Sequence, residues 1–209
     1  MFSGVIDEMS FKKNEWAYRV MRALFIGPFL LVFNPKIIGK ENIPGEGSCV
    51  IAGNHKHALD PILVDSSTRR TVNTLAKKDL HDGPFGWFFR AIGSIPVDLH
   101  AEHNKDALEA AVDRLNGGCL VNVSPEAKRN FTEEILLPFK FGAVVMAQRT
   151  GSPIVPYAIT GDYKFRSKNL KIVFGEAMDI SQMSVNEANE KLFCVIKEML
   201  IKSKAEETE

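Results

Sequence analysis

Cysteine is scarce: three residues in 209, Cys49, Cys119 and Cys194. They lie far apart in apolar surroundings and form no C-x-x-C pair, so neither a disulfide framework nor a structural zinc site is expected. They read as small core residues in a reducing compartment. Excess charge of either sign is also missing, since 26 Lys+Arg face 26 Asp+Glu. A dedicated nucleic-acid binder would carry a basic surplus to neutralise phosphates, so no nucleic-acid partner is expected and any anion site must be local. No biased tract, internal repeat or long linker appears, which excludes collagenous, disordered and solenoid readings and leaves one domain with one core. No apolar run approaches the ~20 residues that a membrane span requires. Residues 1 to 15 mix Asp7, Glu8 and Glu15 with Lys12 and Lys13, unlike a secretory leader, so the protein is expected inside the cell.

What is present begins with ALFIGPFLLVF, an eleven-residue apolar run from Ala23 to Phe33 that follows Trp16, Tyr18, Arg19 and Arg22. Between Lys12 and Lys40 six basic residues face one acid, Glu15, which makes the stretch locally +5 in a neutral chain. Apolar run, aromatic flank and basic excess suit a segment lying in the interface of an anionic bilayer, and a buried core helix is the other reading. Pro28 is expected to break or kink a helix through the run. Residues 1–35 are therefore set apart as a helical, membrane-interacting segment.

From residue 36 the pattern is that of an α/β protein. CVIAG (49–53), TVNTLA (71–76), GSIPV (93–97), CLVNV (119–123), PIVPYAI (153–159) and LKIVF (170–174) read as buried strands. Residues 104–116 place Ala107, Leu108, Ala111, Val112 and Leu115 on one helical stripe that stops at Gly117-Gly118. Residues 184–203 open with a Ser184–Glu187 capping box and carry Leu192, Val195, Ile196, Met199 and Leu200 on one face. The expected fold is a single α/β domain over 36–204, a mostly buried central sheet flanked by helices, with a frayed tail at 205–209.

Chemistry gathers where the strand ending at Gly53 gives way to Asn54-His55-Lys56-His57-Ala58-Leu59-Asp60-Pro61. In α/β folds ligands bind beyond the carboxyl ends of strands. An imidazole with a carboxylate five residues on suits a general base and its orienting partner: the carboxylate takes the Nδ1 proton and Nε2 is left to accept one. Asp60 also fits as the N-cap of a helix with Pro61 at N1, and the two readings are compatible. His57 reads as solvent-facing rather than as a second base. The five histidines, His55, His57, His81, His100 and His103, match no zinc spacing, so no metal is expected.

Asn54-His55…Asp60 resembles the N-H-x-x-x-x-D signature of the glycerolipid acyltransferases, in particular the 1-acyl-glycerol-3-phosphate acyltransferase family. Ala76-Lys77-Lys78-Asp79-Leu80 is similar to that family's K-x-E-L segment, and Gly93–Asp98 to G-x-I-P-V-D-R. Ser124-Pro125-Glu126-Ala127-Lys128-Arg129 is similar to F-P-E-G-T-R, and Pro153–Pro156 to P-I-V-P. The blocks follow the family order from about Gly39 to Gly161. There are departures: Leu99 stands where the family has arginine, Ser124 for phenylalanine, Ala127 for glycine and Lys128 for threonine, so the chain resembles a divergent bacterial-type member.

The resemblance implies transfer of a fatty acyl group from acyl-CoA or acyl carrier protein to the free hydroxyl of 1-acyl-glycerol-3-phosphate, making phosphatidate for phospholipid synthesis, with no cofactor. It implies His55 as general base, Asp60 as its partner, and Asn54, Lys77, Glu126 and Arg129 at the acceptor, where Lys128, a departure from the family pattern, is added. Lys128 is the proposed replacement for the cation lost at Leu99, and a Glu126–Arg129 ion pair is the plainer alternative. Backbone N–H groups at the start of the helix after Asp60, or in the Gly142 turn, would face the oxyanion. The implied partners are a phospholipid surface, the thioester donor and a lysophospholipid, at the cytoplasmic face of the membrane as a peripheral or monotopic protein. Another lysolipid or glycerol-3-phosphate as acceptor, or a non-catalytic lipid binder, are the alternatives.

Overall fold

The computed structural model describes residues 18–20, 22–98 and 104–206. A helix α1 occupies 18–20 and 22–33. It is followed by β1 (Lys36–Ile38), a 3-10 turn (Lys40–Asn42), β2 (Cys49–Gly53), α2 (Asp60–Ser66), β3 (Val72–Lys77), α3 (Lys78–Asp82), α4 (Gly86–Ala91) and β4 (Ile95–Val97). Then come α5 (Lys105–Asn116), β5 (Leu120–Val123), α6 (Gly142–Thr150), β6 (Ile154–Thr160), β7 (Lys171–Phe174) and α7 (Val185–Ala205). The seven strands form one sheet in the order β1-β7-β6-β2-β5-β3-β4, parallel except where β6 meets β7.

β2 lies inside this sheet, and every residue of CVIAG is buried because helices cover both faces. Its period-two alternation divides the core. Val50 and Ala52 join the cluster under α5, α6 and α7, while Cys49 and Ile51 join the one under α1 and α2. From β2 the chain runs outward to β3 and β4, returns as β5 beside β2, and then crosses to β6 on the other side. The carboxyl end of β2 therefore sits where the winding reverses, the place at which such sheets open a crevice.

The long closing helix forms as the sequence dictates. Ser184 Oγ accepts from Glu187 N at 3.3 Å, the Glu187 carboxylate accepts from Ser184 N at 2.9 Å, and Ala188, Leu192, Ile196 and Leu200 are buried at intervals of four.

Several expectations need correcting. Helix α1 continues through Pro28, which costs one backbone donor without ending the helix. The membrane-or-core question divides by face: Tyr18 and Phe29 are buried, whereas Leu24, Phe25 and Leu31 are exposed at 62%, 48% and 75%. Trp16, Lys12 and Lys13 lie outside the described residues. Strand β1 and helices α3, α4 and α6 are additional elements, and the Gly142 turn is the first residue of α6. Cys49 and Cys119 are buried, but Cys194 is exposed on α7. Of the tail at 205–209, Ala205 ends α7 and the Glu206 carboxylate accepts from Lys171 Nζ at 3.0 Å; residues 207–209 lie outside the described residues.

Candidate active site

The strand must end in glycine. A Cβ on Gly53 would stand 2.3 Å from the Tyr157 ring on β6, so only glycine lets the chain pass over that ring into the Asn54–Leu59 turn. Asn54 then fastens the turn to β6, its Nδ2 donating to Ile159 O at 3.0 Å and its Oδ1 accepting from Ile159 N at 2.7 Å. Asn54, expected at the acceptor, is buried and engaged at both ends of its amide with the β6 backbone.

His55 Nδ1 lies 2.9 Å from Asp60 Oδ2. The same oxygen accepts from the backbone N–H of Lys56 and of His57, each at 2.8 Å, and the other oxygen accepts from the Tyr163 hydroxyl at 2.7 Å. Asp60 is 1% exposed, and four donors hold its carboxylate in place. It is not the N-cap of α2: it is the first helical residue, and its side chain turns back into the preceding loop. Five donors near the start of α2 are already committed: Lys56 and His57 N to Asp60, Leu59 N to the His57 ring, Asp60 N to His57 O and Ile62 N to Leu59 O. This corrects the expectation that the start of α2 supplies N–H groups to an oxyanion.

Glu126 reaches the site from the loop after β5. Its Oε1 accepts from His55 N and its Oε2 from Leu137 N, both at 2.8 Å, and burial pushes its carboxyl above the usual range against the pull of these two donors. Glu126, expected at the acceptor, is thus buried with both carboxylate oxygens taken up by backbone N–H groups rather than by Arg129. A second tie, Asn130 N to His55 O at 2.9 Å, brings Lys128 and Arg129 into the loop that clasps His55. Both are exposed, and Arg129 lies 5.2 Å over the Phe131 ring. Ala127 takes a left-handed φ of 57°, the conformation that glycine, the residue of the similar family motif, adopts without strain. Lys77 ends β3, exposed and paired with Asp79. Leu99 lies outside the described residues.

Tyr163 was not found by the sequence reading. Besides holding Asp60 it stacks on His57 with ring centroids 4.4 Å apart, so His57 is half-buried against an aromatic face rather than free in solvent. Burial and the Asp60 charge push the Tyr163 phenol up, which keeps it a donor. Phe29 and Phe33 of α1 continue this aromatic contact, Phe33 at 5.7 Å from Tyr163. Among the described residues no group of three or more His, Cys, Asp or Glu side chains is placed to hold a metal ion; His100 and His103 lie outside them.

The chain is similar to several known proteins. The chain is 28% identical over 163 residues to the 1-acyl-sn-glycerol-3-phosphate acyltransferase of Bacillus subtilis, covering 75% of this chain and 80% of that protein. It is 32% identical over 154 residues to the enzyme of the same name from Saccharomyces cerevisiae, covering 68% of this chain and 46% of the yeast protein, so it spans less than half that relative's length. Its fold matches the crystal structure of the 1-acyl-sn-glycerophosphate acyltransferase PlsC from Thermotoga maritima with a TM-score of 0.75 at 23% identity, over 98% of this chain and 89% of that one. The acyltransferase family model matches residues 34–160, a stretch that contains β2, His55, Asp60 and the Glu126 loop, and the chain belongs to the acyltransferase family.

Proposed function

We propose that this enzyme transfers a fatty acyl group from a thioester, acyl-CoA or acyl carrier protein, to the free hydroxyl of 1-acyl-glycerol-3-phosphate, yielding phosphatidate for phospholipid synthesis. The observation that carries this reading is the His55–Asp60 pair at 2.9 Å at the carboxyl end of β2. With Nδ1 held by Asp60 and the His55 side chain 24% exposed, Nε2 is the nitrogen left for a substrate hydroxyl. His55 takes the hydroxyl proton as the oxygen attacks the thioester carbonyl carbon, and the buried carboxylate stabilises the imidazolium. The tetrahedral intermediate collapses with C–S cleavage, and the proton passes from His55 to the departing thiolate. No covalent enzyme intermediate is required.

Lys77, Lys128 and Arg129 are the cations that this reading assigns to the acceptor phosphate. The first-turn N–H groups of α6, tied to the catalytic loop by Lys140 N to Pro125 O at 2.9 Å, are the candidate oxyanion donors. A membrane-facing α1 fits the lipid substrate, because its exposed Leu24, Phe25 and Leu31 lie on a helix whose Phe29 and Phe33 contact Tyr163. No described helix is long and apolar enough to cross a membrane. In this reading α1 lies on the bilayer surface at the cytoplasmic face. The test is release of free thiol from acyl-CoA with lysophosphatidate, a neutral lysolipid or glycerol-3-phosphate as acceptor. Release that requires lysophosphatidate and is lost in His55→Ala is expected; no release with any acceptor would overturn the reading.

A further inference from the structure

The outer edge of the sheet carries a second polar feature, away from His55. Strand β4 is the edge strand, three strand positions from β2 and thus about 14 Å across the sheet. Beside it the α3–α4 hairpin and the end of α5 border an open cleft of about 370 Å³ whose lining includes Lys78, His81, Asp82, Arg90, Ser94 and Arg114. None of these residues belongs to the His55–Asp60 turn or to the Glu126 loop.

Its walls are organised by hydrogen bonds. Arg90 Nη1 donates to His81 O at 2.7 Å, which fixes the guanidinium over the hairpin. Ser94 Oγ donates to Phe89 O at 3.0 Å and lies 2.9 Å from His81 Nε2, so that nitrogen carries the proton and donates to Ser94. Burial and the Arg90 charge pull the His81 pKa down, so the imidazole is neutral and the positive charge of the cleft rests on Lys78, Arg90 and Arg114. Among the described residues that line the cleft, these three cations from three helices stand with one carboxylate, Asp82.

We propose that this cleft is a phosphate-binding site distinct from the acyl-transfer centre. Guanidinium forks match tetrahedral oxyanions in pairs, and an ammonium from a third side completes a cradle for a phosphate monoester or diphosphate. Two sources offer that chemistry: the headgroup of an anionic phospholipid, or a soluble phosphoester such as the nucleotide end of a thioester donor. The hairpin also carries exposed Phe85 and Trp87, and its Phe88 packs on Phe25 of α1 at 5.6 Å, so a lipid headgroup can reach the cleft from the surface on which α1 would lie.

The test is a titration of the full chain with inorganic pyrophosphate, read from the side-chain Nε–H NMR signals of Arg90 and Arg114. Saturable shifts are expected in the wild type and equally in Arg129→Gln, which separates this cleft from the proposed acceptor cations. Affinity should fall about tenfold, near 1.4 kcal/mol, in Lys78→Gln and in Arg114→Gln with melting temperature unchanged. Pyrophosphate that releases the protein from phosphatidate-containing vesicles identifies the lipid headgroup as the source; pyrophosphate that binds the cleft without releasing it identifies a soluble phosphoester. Absence of saturable shifts, or full affinity retained in Lys78→Gln and Arg114→Gln, overturns the site.

Discussion

The Tyr163 hydroxyl donates to Asp60 Oδ1 at 2.7 Å, on the side of the carboxylate opposite the His55 imidazole. The His55 imidazole is therefore oriented through two links, and the second comes from a loop 103 residues further along the chain. Tyr163→Phe removes one hydrogen bond worth about 0.5–1.5 kcal/mol and keeps the ring stacked on His57. A fall in kcat of about 2- to 12-fold with KM for the acceptor unchanged is expected, and a larger loss in Tyr163→Ala. Equal kcat in Tyr163→Phe and wild type would show that the backbone donors alone hold Asp60.

The two histidines should separate cleanly. His55→Ala is expected to lower kcat by roughly 10²–10⁴-fold with circular dichroism unchanged. His57→Ala loses only an aromatic contact and one backbone tie, so its loss should be at least tenfold smaller. Similar losses for both would assign the chemistry to the turn as a whole.

Ala127 offers a test that needs no substrate. Its φ of 57° costs an L-residue about 1–2 kcal/mol, comparable to the unfolded-state entropy that glycine adds. Ala127→Gly should leave the melting temperature unchanged or raise it, whereas Ala111→Gly inside α5 should lower it. A clear drop in Ala127→Gly would show that the strain is absent.

Residues were legible in the sequence where one pattern dictated one structure. Strand β2 coincides with the expected 49–53, because an interior parallel strand must be apolar on both faces. Helix α7 coincides at its start because Ser184 and Glu187 cap it. Helix α6 was hidden because Gly142-Ala-Val-Val-Met-Ala has neither a side-chain cap nor a polar face, and β1 because three residues at a sheet edge carry no periodicity. Cys194 was misplaced although the signal existed: with 192, 196 and 200 buried at intervals of four, position 194 falls on the opposite face. At the site, the His55–Asp60 spacing was visible, but the backbone ties of Glu126 and Asn54 were not, because a motif names residue types and not which backbone groups they satisfy. Tyr163 follows the last motif block, and no local pattern marks a bond across 103 residues.

Helix α1 presents Leu24, Phe25 and Leu31 outward while Tyr18 and Phe29 face the core, so deleting the whole segment would uncover the core as well. Leu24→Ser with Leu31→Ser removes the outer face alone. Vesicle binding should drop at least tenfold with the melting temperature retained, and wild-type binding should weaken as salt is added and strengthen with anionic lipid. Undiminished binding by the double variant would place the lipid contact elsewhere.

Asp65 on α2 lies near Tyr18 and Arg22, and its Oδ1 is sealed from solvent without a hydrogen-bond partner in the described structure. Burial raises its carboxyl to about 8, against the opposing effects of Arg22 and the Tyr18 hydroxyl. A folded-state value above the unfolded one means that the native state holds a proton the unfolded chain has already released. The associated stability is complete below about pH 4 and is lost as pH rises through about 8. Thermal melts should therefore show wild type losing more stability than Asp65→Asn between pH 6 and pH 9. Parallel losses would mean that Asp65 is ionised in the folded protein throughout.

The ties that assemble the Asn54–Asp60 turn join residues 71, 103 and 105 positions apart, His55 to Glu126, Asp60 to Tyr163 and Asn54 to Ile159. During synthesis the His55 turn emerges long before any of these partners, and parallel pairing of β2 with β5 and β6 must wait for them. Enzymatic competence is accordingly among the last properties the chain acquires. A ribosome-bound chain that stops short of Ile159 carries His55, His57 and Asp60, yet it lacks the Ile159 backbone that anchors Asn54 and the Tyr163 phenol that holds Asp60.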